Sequence, residues 1–196
     1  VYKSQELLNI GYSVPIKRSS GSAIEGSSSM LATSFAMLNF GKITFGAEHS
    51  RNQKNEFATK IVYSYRSNLF SASLHYRDYS AKFRSPYGYN FGESATPSNE
   101  QGLYFGILYK VAKDVSIESY FDIYRTHTRT YTVQMPVSGR DWCGRAFFDN
   151  TLFGNLMLKL KSETKTDGYK ASSSSAQTIF DITRDEIRLE AKRSIS

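Results

Sequence analysis

The sequence predicts an all-β fold: an antiparallel up-and-down β-barrel that crosses a membrane, with about ten or eleven strands in this chain. Three observations lead there. Segments of about ten residues alternate apolar and polar side chains, the period of a two-faced strand. The links between them alternate in length. Long links at Pro15–Gly26, His49–Glu56, Ser80–Gly102, His127–Asp141 and Thr164–Ala176 interleave with short ones at Phe40–Lys42, Ser67–Asn68, Ala112–Asp114, Asp149–Gly154 and Arg184–Asp185. Short turns at one rim and long loops at the other are how membrane barrels are built. Finally, aromatics flank the short turns, with Tyr65 and Phe70 around Ser67–Asn68 and Tyr109 ahead of Val111. Such rings suit a membrane–water boundary.

The elements follow in order. A strand at Glu6–Val14 puts Leu8, Ile10, Tyr12 and Val14 on one face. The Ser- and Gly-rich loop Ser19–Ser29 leads to a strand at Met30–Asn39 whose faces separate poorly, and Gly41 turns the chain into Ile43–Glu48. The clearest hairpin sets Phe57, Thr59, Ile61, Tyr63 and Tyr65 against Lys60, Ser64 and Arg66, then Phe70, Ala72, Leu74 and Tyr76 against Ser71, Ser73, His75 and Arg77. Leu103–Lys110 keeps Leu103, Phe105, Ile107 and Tyr109 in phase. In Val115–Arg125, Val115, Ile117, Phe121 and Ile123 oppose Glu118, Tyr120, Asp122 and Tyr124. Trp142–Phe148 is blurred, whereas Leu156, Leu158 and Leu160 alternate with Met157, Lys159 and Lys161. Two last strands are expected at Gln177–Thr183 and Glu186–Ser194. An amphipathic helix over Ala176–Lys192 competes through Ile179, Ile182, Ile187 and Ala191, but the β-branched residues favour strand. An odd strand count leaves an edge, the chain starts at Val1 without an initiator Met, and it ends at Ser196 without a terminal aromatic. Residues 1–196 are therefore expected to be one outer-membrane barrel segment truncated at both ends.

Composition bounds the partners. The chain has 196 residues, 40% of them hydrophobic, with 14 Tyr, 13 Phe and a single Trp. Its mean hydropathy of −0.44 looks aqueous, but in a barrel only alternate residues meet lipid. No apolar run approaches the roughly 20 residues of a membrane helix. The net charge of +7 comes from Lys and Arg scattered without a block, so nucleic acid is not expected as a partner. The one cysteine, Cys143, cannot form an internal disulfide and has no metal spacing around it; neither metal nor cofactor is expected.

The polar faces supply the candidate site. Lys60, Arg66, His75 and Arg77 form a row that faces Glu118 and Asp122. With Arg84, Glu93 and Glu100 of the long loop 80–102, they are the lumen and constriction candidates: a loop folded into a porin-like lumen sets selectivity by field and size. The competing reading is a charge-paired interior that stabilises a plugged fold, with Glu93, Asn99 and Glu100 tying the loop down. Those three match no standard calcium loop. Phe57, Tyr65, Phe70, Tyr76 and Tyr109 are the membrane-interface candidates, and the lipid bilayer and small solutes the expected partners. Catalysis would have to use His49, His75 or His127, with Asp78 or Asp141. Their spacing is not diagnostic and no serine lies in a nucleophile motif, so no catalytic residue is assigned and an enzyme is not expected. Two alternatives stay open: a soluble secreted β-sandwich that binds carbohydrate or protein through Tyr87, Tyr89, Phe91 and Tyr131, and, below it, an outer-membrane hydrolase.

Three stretches carry a family resemblance: His75-Tyr76-Arg77-Asp78-Tyr79, the Phe91-Gly92-Glu93-Ser94 element inside Ser85–Ser94, and the Asn99-Glu100-Gln101-Gly102 lead-in to a strand. Over about residues 60–145 the chain resembles the barrel portion of large outer-membrane proteins of Bacteroidetes- and Chlorobi-type bacteria, many of which carry a helix-hairpin-helix segment ahead of the barrel. The resemblance implies the bacterial outer membrane as location and implies no activity. The helix-hairpin-helix motif is not in this sequence, so a DNA-handling role does not carry over.

Overall fold

A computed structural model describes residues 7–13, 16–17, 29–83, 92–93, 97–130, 133–151, 154–169 and 177–192. They form eleven strands and no helix: β1 (Leu7–Ser13), β2 (Ile16–Lys17), β3 (Ser29–Phe40), β4 (Ile43–Asn52), β5 (Phe57–Arg66), β6 (Phe70–Tyr79), β7 (Glu100–Ala112), β8 (Val115–Arg125), β9 (Ser138–Thr151), β10 (Gly154–Tyr169) and β11 (Thr178–Lys192). From β3 to β11 the sheet is a nine-strand antiparallel meander in chain order; β1 pairs with the outer side of β3, and β2 adds two pairs at its end. Among the described residues β11 pairs only with β10, so the sheet is open.

Alternation drives this arrangement. Opposed residues of an antiparallel pair share a face, so one apolar band crosses the sheet: Phe45, Tyr63, Leu74, Phe105, Phe121 and Trp142 are successive cross-strand partners. On the other face the row Glu48, Lys60, Arg77, Gly102, Tyr124, Gly139 and Lys165 runs in parallel. Local chemistry makes the tight turns. Gly41 adopts the left-handed φ of 58° between β3 and β4. Between β5 and β6, the Ser67 hydroxyl donates to the Phe70 carbonyl at 2.9 Å and accepts from its N–H at 3.0 Å.

The face patterns change along the strands. In its middle and toward the short turns, the outward face is apolar, with Leu74, Phe105, Tyr109, Ile117 and Phe121 between 40% and 46% exposed. Toward the long loops it becomes polar, with Thr59, Asp78, Gln101, Arg125 and Arg140 in the same rows. There the inner face becomes apolar instead. Tyr79, Phe83, Tyr124, Val133 and Val137 are buried beneath the loops and form the packed core.

Several sequence expectations need correction: β10 continues through Tyr169, into the expected link Thr164–Ala176, and β9 begins at Ser138, inside the expected link His127–Asp141. The final two strands are one: β11 pairs without interruption with β10 from Tyr169↔Thr178 to Asn155↔Lys192. Arg184–Asp185 has no Gly, Asn or Pro to turn the chain. The apparent break is the phase reversal just described, from inward Phe180 and Ile182 to outward Ile187 and Leu189. The link His49–Glu56 is also shorter than expected, because β4 continues to Asn52. Its side-chain oxygen accepts from the N–H groups of Lys54 (2.9 Å) and Glu56 (3.0 Å), and Asn55 takes a φ of 62°, closing the hairpin in four residues.

Candidate functional site

The inner face is built around Arg77. Its side chain is 0% exposed. Nε donates to Glu100 Oε1 at 2.5 Å, while Nη1 and Nη2 donate to the two oxygens of Asp122 at 2.8 and 3.1 Å. The two-pronged geometry suits a guanidinium on a carboxylate. Arg77 is on β6 and Asp122 on β8, so the side chain must cross β7. It does so over Gly102, where any Cβ would collide with the guanidinium. One strand further on, the Tyr124 ring lies over Gly139 in the same way.

Described parts of the loop between β6 and β7 cover this cluster. Phe83 is 1% exposed, and the Glu93 N–H donates to Glu100 Oε2 at 3.1 Å. A Cβ on Gly92 would strike the Glu100 carboxylate. Asn99, in the left-handed region at φ 54°, accepts from the Thr128 N–H (2.9 Å) and hydroxyl (3.0 Å) and donates to the Thr128 carbonyl (3.2 Å), which ties this loop to loop 126–137. The partial burial of Glu93 pushes its carboxyl above the usual range, against the pull of Lys165 at 3.9 Å.

Below Arg77, toward the short turns, aromatic and ionic contacts continue the face. His75 meets Tyr104 edge-on at 5.4 Å, and Tyr104 stacks on Tyr120 at 5.7 Å. The Tyr120 hydroxyl donates to Asp141 at 2.9 Å, and Lys161 reaches Asp141 at 3.2 Å and Glu163 at 3.3 Å. Arg145–Glu118 (3.4 Å) and Lys159–Glu186 (2.8 Å) extend the network to β11. Two cavities flank it. One of about 620 Å³ opens at the long-loop end and is lined by Tyr124, Arg129, Lys165 and Arg184. The other, of about 630 Å³, sits toward the short turns among Lys42, Ser64, Arg66, Ser73, Tyr120 and Arg145. Lys42 and Arg145 would be roughly 24 Å apart on a flat sheet of strands about 4.8 Å apart. Their shared cavity means that the sheet curls into a trough with this face inside.

The structure thus gathers Arg77, Glu93, Glu100 and Asp122. Lys60 is the cross-strand neighbour of Arg77. His75 lies one step below, and Arg66 and Glu118 belong to the lower cavity. Arg84, Tyr87, Tyr89, Phe91 and Tyr131 lie outside the described residues. Tyr65, Phe70 and Tyr109 are on the outward face at the short-turn end, with the Tyr65 and Phe70 rings 6.2 Å apart and Phe70 opposite Tyr109. Phe57, stacked on His49 at 6.0 Å, and Tyr76, whose hydroxyl accepts from Gln101 Nε2 at 2.9 Å, are on that face at the other end. Tyr124 and Lys161 were not among the sequence's site candidates, and Asp141 was named only as a possible partner for a catalytic histidine. The in-strand glycines Gly102 and Gly139 were the available signal, since a strand glycine marks a close approach.

The histidines stand apart from one another. His127 Nε2 meets Asp78 at 2.8 Å and His49 Nδ1 meets the Thr59 hydroxyl at 2.8 Å, both exposed at the long-loop end. Cys143 is buried beside Tyr120 and Lys161. No protein-family profile matches the chain, and no curated protein or solved structure matches it either.

Proposed function

We propose that this chain forms wall strands of a bacterial outer-membrane β-barrel, of the Bacteroidetes- and Chlorobi-type group it resembles, with a porin-like or structural transport role. Its charged inner face is the lumen, and loop 80–102 narrows that lumen at the long-loop rim. The observation that carries this reading is the division of the two faces. The outward band of Leu74, Phe105, Tyr109, Ile117 and Phe121 stays 40–46% exposed, and among the described residues no second layer covers it. Hydrated apolar surface costs about 25 cal/mol per Å², and soluble monomers rarely leave a contiguous patch beyond a few hundred Å². Hydrocarbon removes that cost. A β-sandwich would need a facing sheet on this side. The strands β3 to β11 are 10 to 16 residues long, enough to cross a bilayer at a tilt, which takes about 9–11 residues. Closure is part of the proposal. The free edge of β11, where Ile187 is 79% and Leu189 73% exposed, must be paired in lipid, because an open edge there leaves backbone groups without partners.

The test is fractionation of cells that produce the full-length protein, followed by gel mobility of detergent extracts with and without boiling. Outer-membrane recovery with a mobility shift on boiling is expected. Leu74→Arg charges the middle of the outward band, at about 2–4 kcal/mol near the bilayer midplane, and should deplete the folded species. Ser71→Glu, on the inner face beside Arg66, should be tolerated. Recovery in the soluble fraction with no shift defeats the reading.

A further inference from the structure

The cavity at the long-loop end has an unbalanced set of charges. Four carboxylates line it, and three have cationic partners: Glu100 binds Arg77, Glu163 binds Lys161 and Glu93 approaches Lys165. The fourth, Asp167, accepts from the N–H of Gly168 at 2.7 Å. Among the described residues neither Arg129, from loop 126–137, nor Arg184, from β11, has an ion-pair partner. The two arginines therefore line the same space from a loop and from a strand, and among the described residues neither side chain makes a hydrogen bond. A third donor sits between these walls. Tyr124 is 7% exposed, lines the cavity, and its buried hydroxyl has no hydrogen-bond partner among the described residues. Buried tyrosine hydroxyls normally find one.

We propose that this cavity binds a small solute carrying an oxyanion, a carboxylate or a phosphate, between Arg129 and Arg184, with the Tyr124 hydroxyl as third donor. Guanidinium groups present paired donors that match both oxyanions, and about 620 Å³ falls within the range of small-molecule sites. The site belongs to the folded chain and does not depend on its strands crossing lipid, so its failure and the failure of the barrel reading are separate results.

The experiment is calorimetric titration of the refolded full-length protein with succinate and with inorganic phosphate, and with chloride as the control. Saturable binding of at least one oxyanion and none of chloride is expected. Arg129→Gln/Arg184→Gln should weaken it by about tenfold or more, as the loss of charged hydrogen bonds does. Both side chains are exposed, so the double variant should keep the fold, and circular dichroism checks this. Tyr124→Phe should weaken binding severalfold with no loss of stability in the anion-free protein. Lys113→Gln, in the exposed turn between β7 and β8, should bind as the parent does. The inference is overturned by no binding of either oxyanion at millimolar concentration, by unchanged affinity in the double arginine variant, or by unchanged affinity in Tyr124→Phe.

Discussion

Arg77→Met isolates the centre of the inner face. The variant keeps the length of the side chain over Gly102 and removes the charge. Glu100, whose side chain is 3% exposed, and Asp122, at 14%, then face each other without a cation. Breaking a buried ion pair from one side costs about 3–5 kcal/mol, most of it the penalty of the charge left behind. Glu100 should carry the larger share, because water can return to Asp122 more readily. With a urea dependence of about 2 kcal/mol per molar, the unfolding midpoint should fall by roughly 1.5–2.5 M. The single tryptophan, Trp142, reports the transition, and limited proteolysis of loop 80–99 reports whether the loop is still held. Neutralising the cluster together, as Arg77→Met/Glu100→Gln/Asp122→Asn, should recover much of the loss, because no buried charge then remains. A loss below about 1 kcal/mol in Arg77→Met with the loop still protected would refute the idea that this cluster pins it.

Three further outcomes follow from the same geometry. Trp142 faces outward between Phe121 and Ser162 at 40% exposure, so in vesicles brominated lipids should quench its fluorescence strongly and acrylamide weakly; the reverse order would contradict a lipid-facing band. Gly102→Ala puts a methyl group into the Arg77 guanidinium and should cost about 1–3 kcal/mol; in the Arg77→Met background the cost should shrink, since both changes act on one contact. The raised carboxyl of Glu93 binds its proton more tightly in the folded chain. Its contribution to stability is therefore complete below the ordinary carboxylate value of 4.5 and is lost as pH climbs through the raised value; Glu93→Gln should flatten that part of the pH profile of the urea midpoint.

The parts of the fold legible in the sequence are those where one face stays apolar over most of a strand. In β5 to β8 a slip of one residue would exchange every inward and outward side chain, so alternation determines register. It failed where the environment changes along a strand. β11 looked like two strands because its apolar residues switch faces between Ile182 and Ile187. The predecessor of β4 looked ambiguous because the inner face at β3 also carries apolar residues, Phe35 and Met37. The candidate site was legible as residue types and not as partners. Arg77 sits opposite Gly102 in register, yet its guanidinium passes over that glycine to Asp122 one strand further on. Tyr124 was read only as part of a polar face, and its burial depends on loops whose packing no periodicity encodes.

The meander has a consequence for how the sheet can vary. From β4 to β11 each strand pairs only with its sequence neighbours, so gain or loss of a hairpin alters the width of the sheet without rethreading any other strand. Arg77, Glu100 and Asp122 set a limit on that freedom by fastening β6, β7 and β8 across three consecutive strands. Those strands form a fixed panel, and the modular ones are β3, β4 and β5 on one side of it. Over evolutionary time such a sheet can widen or narrow by whole hairpins while the panel that carries the loop is inherited intact.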